Sequence, residues 1–168
     1  MSIAEMLLPE WDVEMATTRR VLERVPDERG EWKPHPKSFA MAHLAQLVAR
    51  MPGWATMMMK HPEIDIAPLE GQPAQGYTIE KTETLLAEFD RNAAEGRAAL
   101  AAGTDDDFQA PWTLKARGVA VGSGSRYQML RTNMLNHLVH HRAQLGVYLR
   151  LVEVPVPSMY GPTADERF

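Results

Sequence analysis

The sequence predicts an all-α protein, a single domain over residues 1–168 built as a four-helix bundle with a small β-hairpin before the last helix. Three observations predict it. Of the 12 prolines, only Pro111 lies between Pro73 and Pro155, leaving two proline-free windows, each long enough for about six helical turns. Four stretches carry apolar residues at steps of three and four, the period of a helix with one buried face. The length of 168 residues suits one core that buries about 70% of the unfolded surface without covalent staples.

The first helix carries Leu8, Trp11, Met15, Thr18, Leu22 and Val25, and Pro26 ends it. The second follows the Lys33-Pro34-His35-Pro36 loop, with Ser38 or Lys37 as its cap. It carries Ala40, Leu44, Leu47, Val48, Met51 and Ala55, and Pro52-Gly53 is expected to kink it. Residues 61–77 hold three prolines and two glycines, a loop long enough to cross from one end of the bundle to the other. Antiparallel neighbours would not need that length. The third helix carries Leu86, Phe89, Ala93 and Leu100. Residues 111–122 alternate on either side of Ala116-Arg117-Gly118 and read as the hairpin. Ser125 then stands three residues before Gln128, a capping box for the fourth helix. That helix carries Leu130, Met134, Leu138, His141, Leu145 and Tyr148.

Composition excludes several function classes. Eighteen Lys+Arg against 22 Asp+Glu give a net charge of −4, with no basic cluster to hold nucleic acid. The absence of Cys excludes disulfides, thiolate metal ligands and a cysteine nucleophile. The first 25 residues carry Glu5, Glu10, Asp12 and Glu14 and no positive segment before an apolar run, so no signal peptide is expected. No apolar run approaches the roughly 18 residues of a membrane span. The expectation is a cytoplasmic protein acting on a small molecule, without nucleic acid or membrane as partner.

The chemistry concentrates in the fourth helix. At about 100° per residue, His141 falls near +40° from His137, on the side of Leu130 and Tyr148, while His140 sits near −60° on the shoulder. Two imidazoles at i and i+4 on an inward face can chelate one divalent metal. The competing reading is a pair of core-edge histidines bonded to neighbouring helices. No Glu follows His137, which excludes the His-Glu-x-x-His protease helix. Two ligands are too few, so a third must come from another helix, and His43 on the second helix is the candidate. Tetrahedral ligation would then place the ring nitrogens about 3 to 3.5 Å apart.

Other signals are weaker. His35 and His61 sit in proline-flanked loops and are expected to face water. Gly122-Ser123-Gly124-Ser125 lacks the Lys of a phosphate loop and reads as a turn. Asp105-Asp106-Asp107 lacks the spacing of a calcium loop and reads as a solvated connector. No Gly-x-Ser-x-Gly elbow exists, and Met57-Met58-Met59 reads as adaptable core filler.

The run from His137 through Arg142, Gln144 and Leu145, continuing by Tyr148 and Arg150 to Val154-Pro155-Val156-Pro157 and Tyr160-Gly161-Pro162, resembles the C-terminal signature of DinB-like proteins. Glu31-Trp32, Pro34-His35-Pro36, Ser38 and Met51-Pro52-Gly53-Trp54 resemble that group too, and the likeness spans nearly the whole chain. The resemblance implies a bundle of up-down-down-up order, frequent homodimers and a divalent metal, nickel or zinc, held by three histidines. Two of those match His137 and His141. The group's usual ligand on the second helix falls at position 47, where this chain has Leu47, with His43 one turn earlier. Some relatives transfer low-molecular-weight thiols, which implies a metal-dependent thiol transferase acting on a small electrophile. Asn133, Gln144 and Tyr148 share the helix face and become candidates for the cofactor pocket. Leu47 points to the alternative, a metal-free dimeric bundle that binds a small ligand or serves in stress without catalysis.

Overall fold

The computed structural model describes residues 1–68 and 76–167. It is mostly helical, with a small three-stranded sheet. Helix α1 spans Ile3–Leu22. Its N-cap Ser2 accepts from the Glu5 amide while the Glu5 carboxylate accepts from the Ser2 amide, which satisfies two of the orphan donors at the helix start. Helices α2 (Met41–Arg50) and α3 (Pro52–Lys60) form one helical run divided at Met51. Pro52 has no N–H to donate and takes the first position of α3, as the expected kink required.

The start of α2 corrects the sequence reading. Neither Ser38 nor Lys37 caps it; Ala40 occupies the cap position and makes no side-chain bond. The Met41 and Ala42 amides instead donate to the carbonyls of Trp32 at 2.9 Å and Gly30 at 3.0 Å. A backbone turn therefore does what a side chain was expected to do.

Beyond α3, strand β1 (Glu63–Asp65) was not anticipated. The rest of the expected crossover includes residues 69–75, which lie outside the described residues. Helix α4 covers Thr82–Ala102. The expected acidic connector is instead a short helix, α5 (Asp105–Gln109), opened by a capping box between Thr104 and Asp107. Its three carboxylates lie in the first turn, where the helix dipole favours negative charge. Strands β2 (Pro111–Ala116) and β3 (Val119–Ser125) form the expected antiparallel hairpin, and β1 adds to β2 in parallel. Arg117 and Gly118 make the turn at φ of 53° and 76°. The Asp65 carboxylate accepts from the amides of Ala67, Arg117 and Gly118 and so fastens β1 to that turn.

The last helical run begins with α6 (Arg126–Leu130), capped by the expected Ser125–Gln128 box. It passes through one π turn at Arg131–Leu135 and continues as α7 (Asn136–Leu151). In the π turn the Asn136 amide reaches back five residues to the Arg131 carbonyl. No feature of the sequence marked this insertion.

Side-chain pairs give the helix directions. Arg19 donates to Asp90 and Arg97 to Asp12, so α1 and α4 are antiparallel. Gln46 meets Thr78 and Arg50 meets Glu88, while Met59 lies beside Gly103, so α2–α3 runs parallel to α4. Glu10 pairs with Arg131 and Glu14 with Arg142, which makes α7 parallel to α1. Trp54 neighbours His137 and Phe39 neighbours Tyr148, which makes α7 antiparallel to α2–α3. Trp11, Phe89, Leu44, Met51, Leu100 and Leu130 fill the core between these runs. A Cβ on Gly96 would lie 2.7 Å from the Trp11 ring and 2.8 Å from the Pro52 carbonyl oxygen, so α1, α3 and α4 meet there only over glycine. Among the described residues no helix is long and apolar enough to cross a membrane.

Candidate metal centre

The rotation of α7 about its axis is set by Arg142, whose side chain is 1% exposed. It forms an ion pair with Glu14 at 2.7 Å and donates to the Glu14 carbonyl and the Thr18 hydroxyl. It also donates to the Tyr160 hydroxyl, which in turn donates to the Glu14 carboxylate. This network ties the C-terminal segment to α1 and turns the adjacent His141 toward α2.

His137 and His141 then converge, as the i, i+4 spacing anticipates. Their Nε2 atoms lie 2.8 Å apart. On the far side of its ring, His141 Nδ1 bonds Gln144 Oε1 at 2.7 Å, and the Asn133 backbone raises the proton affinity of His137. The Gln144 oxygen places a hydrogen on His141 Nδ1 and leaves its Nε2 with a lone pair directed at His137 Nε2. That lone pair accepts a hydrogen from His137 Nε2 or is free to meet a cation. Burial pushes both imidazole pKa values down, with the Asn133 backbone and Gln144 opposing it and the neighbouring imidazoles adding to it. Depressed basicity disfavours the proton and favours neutral, ligating rings.

The pair fits a divalent cation as two of its ligands. Metal–nitrogen bonds of about 2.1 Å at angles of about 90–109° separate the nitrogens by about 3.0–3.4 Å, a few tenths of an ångström beyond the spacing seen. The His141 Nδ1–H bond to Gln144 is the kind of outer contact that orients a ligating histidine. The full three-histidine set does not form: among the described residues no group of three His, Cys, Asp or Glu converges to hold a metal. His43 lies face to face with Phe39, at 4.1 Å between ring centroids, and with Tyr77, at 3.5 Å. It is near enough to His141 to lower that ring's proton affinity.

The other candidates are placed as follows. Gln144 touches the site directly through His141. Asn133 sits in the π turn, where its amide donates to Thr132 Oγ1 and its backbone raises the proton affinity of His137. Tyr148 is 9% exposed; its ring packs edge-on against Trp32 and its hydroxyl donates to the Phe39 carbonyl, so it supports the wall of the site. His140 is exposed, with its ring centroid 4.9 Å from that of His141. His35 and His61 are exposed, as expected. Met58 is buried and Met59 packs on the core, while Met57 is 41% exposed.

Sequence reasoning missed Phe39, Tyr77 and the ligand-side position of Trp54, whose ring centroid is 5.7 Å from that of His137. Trp54 belongs to a motif already noted, but Tyr77 follows a proline- and glycine-rich stretch with no periodicity to aim it.

The DinB family model matches residues 1–167. The chain belongs to the DinB family. An uncharacterized protein of Bacillus subtilis (strain 168), YrdA, is 24% identical over 162 residues, which are 95% of this chain and 89% of that protein. A crystal structure of a DinB-like protein from Bacillus cereus ATCC 10987 matches with a TM-score of 0.70 at 20% identity, over 95% of this chain and 98% of that one. The DinB-like protein YjoA of Bacillus subtilis matches with a TM-score of 0.66 at 13% identity, over 92% of this chain and 97% of that one. These structural likenesses bear on the fold that this DinB-family chain shares with them.

Proposed function

We propose that this DinB-family protein is a metal-dependent enzyme that transfers a low-molecular-weight thiol to a small electrophile. In this reading the helical segments form a four-helix bundle of up-down-down-up order, and the protein works as a cytoplasmic homodimer. His137 and His141 would hold nickel or zinc through Nε2, and a third ligand, which no described His, Cys, Asp or Glu supplies, would have to come from the bound thiol or solvent. One observation carries the reading: Nε2 of the buried His141 faces Nε2 of the half-buried His137 at 2.8 Å while His141 spends its other nitrogen on the Gln144 oxygen. A divalent cation bound there supplies Lewis acidity, which lowers the cost of a thiolate at neutral pH.

The chain's own residues set the conditions for that chemistry. Gln144 holds the His141 imidazole in the Nδ1–H tautomer. Phe39 and Trp54 flank the pair and narrow the access of water. Tyr148 anchors Phe39 through its backbone. Equilibrium dialysis of tag-free protein against nickel or zinc tests the reading. Wild type is expected to retain one equivalent and His141→Ala none.

A metal-free bundle that binds a small ligand is the second reading, favoured by Leu47 on α2 and by the stacking of His43 away from the pair. Wild type that retains no metal in the dialysis, with unaltered stability in His141→Ala, selects it.

A further inference from the structure

The turn before α2 and the segment before α4 enclose a cavity that neither His137 nor His141 lines. Both of its walls are pinned to α2. On one side the Gly30 and Trp32 carbonyls accept from the Ala42 and Met41 amides. On the other, the buried Gln46 amide accepts from the Thr78 amide at 2.9 Å and donates to the Thr78 hydroxyl at 3.3 Å. Tyr77 stacks on the His43 ring, with 3.5 Å between centroids. A Cβ on Gly30 would lie 2.8 Å from Ile79 Cγ2, so the two walls meet over that glycine. About 260 Å³ stays open between them, a little under the about 300–1,000 Å³ of pockets for drug-sized ligands. That is room for a molecule the size of a single amino acid.

The lining carries two opposite charges that do not cancel each other. Trp32 packs edge-on against Tyr148, toward the core, and its neighbours Glu31 and Lys33 both line the cavity. Among the described residues neither takes part in an ion pair. His43 adds an uncommitted ring edge, since the bonds to histidine ring nitrogens among the described residues belong to His35, His137 and His141. Burial, and then the nearby Lys33 charge, push the His43 pKa below its ordinary 6.5. The ring is therefore neutral at pH 7 and keeps one N–H to donate. A simple anion would gain Lys33 but face Glu31, and a simple amine would meet the reverse. A molecule that carries both charges satisfies both at once.

We propose that this cavity binds a free amino acid as its zwitterion: the carboxylate meets Lys33 and the His43 N–H, the ammonium meets Glu31, and an apolar side chain lies against Ile79 and the Tyr77 ring. The site needs no cation and stands whether or not the histidine pair holds one.

Calorimetric titration of the tag-free protein with three probes makes the test. L-leucine carries both charges, 4-methylpentanoate lacks the amine, and 3-methylbutylamine lacks the carboxylate. Wild type is expected to bind leucine about tenfold or more tighter than either analogue, the worth of one charged hydrogen bond. Lys33→Gln is expected to weaken leucine about tenfold and leave 3-methylbutylamine unchanged. Glu31→Gln is expected to weaken leucine by as much and leave 4-methylpentanoate unchanged. Both side chains are exposed, so the variants keep the fold, which their melting temperatures check. Wild type that binds no leucine at millimolar concentration would overturn the proposal, and so would an analogue that binds as tightly as leucine. Repeating the wild-type titration with EDTA present separates this site from the metal reading. Unchanged affinity is expected; binding that EDTA abolishes would place leucine on a cation and overturn the proposal while supporting the metal.

Discussion

Replacing Glu14 by Ala removes the carboxylate that, among the described residues, pairs with the Arg142 guanidinium. The two side chains are 10% and 1% exposed, so the cation left behind has little water to replace its partner. Arg142 Nε already has no hydrogen-bond partner among the described residues. The surviving contacts are the Glu14 carbonyl, the Thr18 hydroxyl and the Tyr160 hydroxyl, all neutral. Breaking one side of a buried ion pair costs about 3–5 kcal/mol, a large share of a typical total stability of about 5–15 kcal/mol. In a domain of this size about 2–4 °C of melting temperature follows each kcal/mol, so Glu14→Ala is expected to melt about 6–20 °C lower. Tyr160→Phe keeps the ring but loses the bridging hydroxyl, and its cost is about 1–3 kcal/mol. Urea unfolding followed by circular dichroism measures both. A loss under about 1 kcal/mol for Glu14→Ala would refute the view that this network fixes α7 and the C-terminal segment.

Three further expectations follow from the same geometry. Burial depresses the pKa values of His43, His137 and His141 below their ordinary 6.5. Between the depressed values and 6.5 the unfolded chain binds more protons, so metal-free stability rises with pH through that window and is lost as pH falls through it. Urea midpoints from about pH 5 to 8 check the sign, and a midpoint that climbs on acidification contradicts it. Gly96→Ala gains about 1 kcal/mol of helix propensity but forces a methyl onto the Trp11 ring and the Pro52 carbonyl, an overpacking cost of about 1–3 kcal/mol. A net loss is expected in urea unfolding, and a stabilised variant would show that the three helices part without cost. Asp65→Ala removes the acceptor of the Gly118 amide and one of the two acceptors of the Arg117 amide, which keeps the Ala67 carbonyl. Hydrogen exchange at the Gly118 amide is expected to accelerate while the helices keep their protection; unchanged exchange there would mean the turn holds itself.

Much of the fold was legible because its signals are local. Steps of three and four mark one helix face, Pro52 acts through a missing N–H, and the Ser125–Gln128 box lies within one turn, whereas α1 ends at Leu22, ahead of Val25 and Pro26. The features that escaped are set by tertiary contact. Strand β1 exists because β2 offers it a partner, and Trp32 and Gly30 cap α2 with carbonyls that no pattern assigns. The π turn at Arg131–Leu135 is a register change without a composition of its own. The same division runs through the site. His137 and His141 belong to one helix, so their spacing alone brings them together. His43 belongs to another, and its ring answers to Phe39 and to Tyr77, which arrives from a loop without periodicity. The C-terminal Tyr160, noticed only as part of a family signature, has a physical reason: its hydroxyl bridges a buried Arg and Glu.

The most direct measurement is an anomalous-difference map, collected at the nickel edge, from crystals of tag-free protein equilibrated with nickel. The account requires one strong peak about 2.1 Å from Nε2 of both His137 and His141, with Gln144 still on His141 Nδ1 and His43 outside bonding distance. A map with no peak at the pair, and a hydrogen bond joining the two rings in its place, would contradict it.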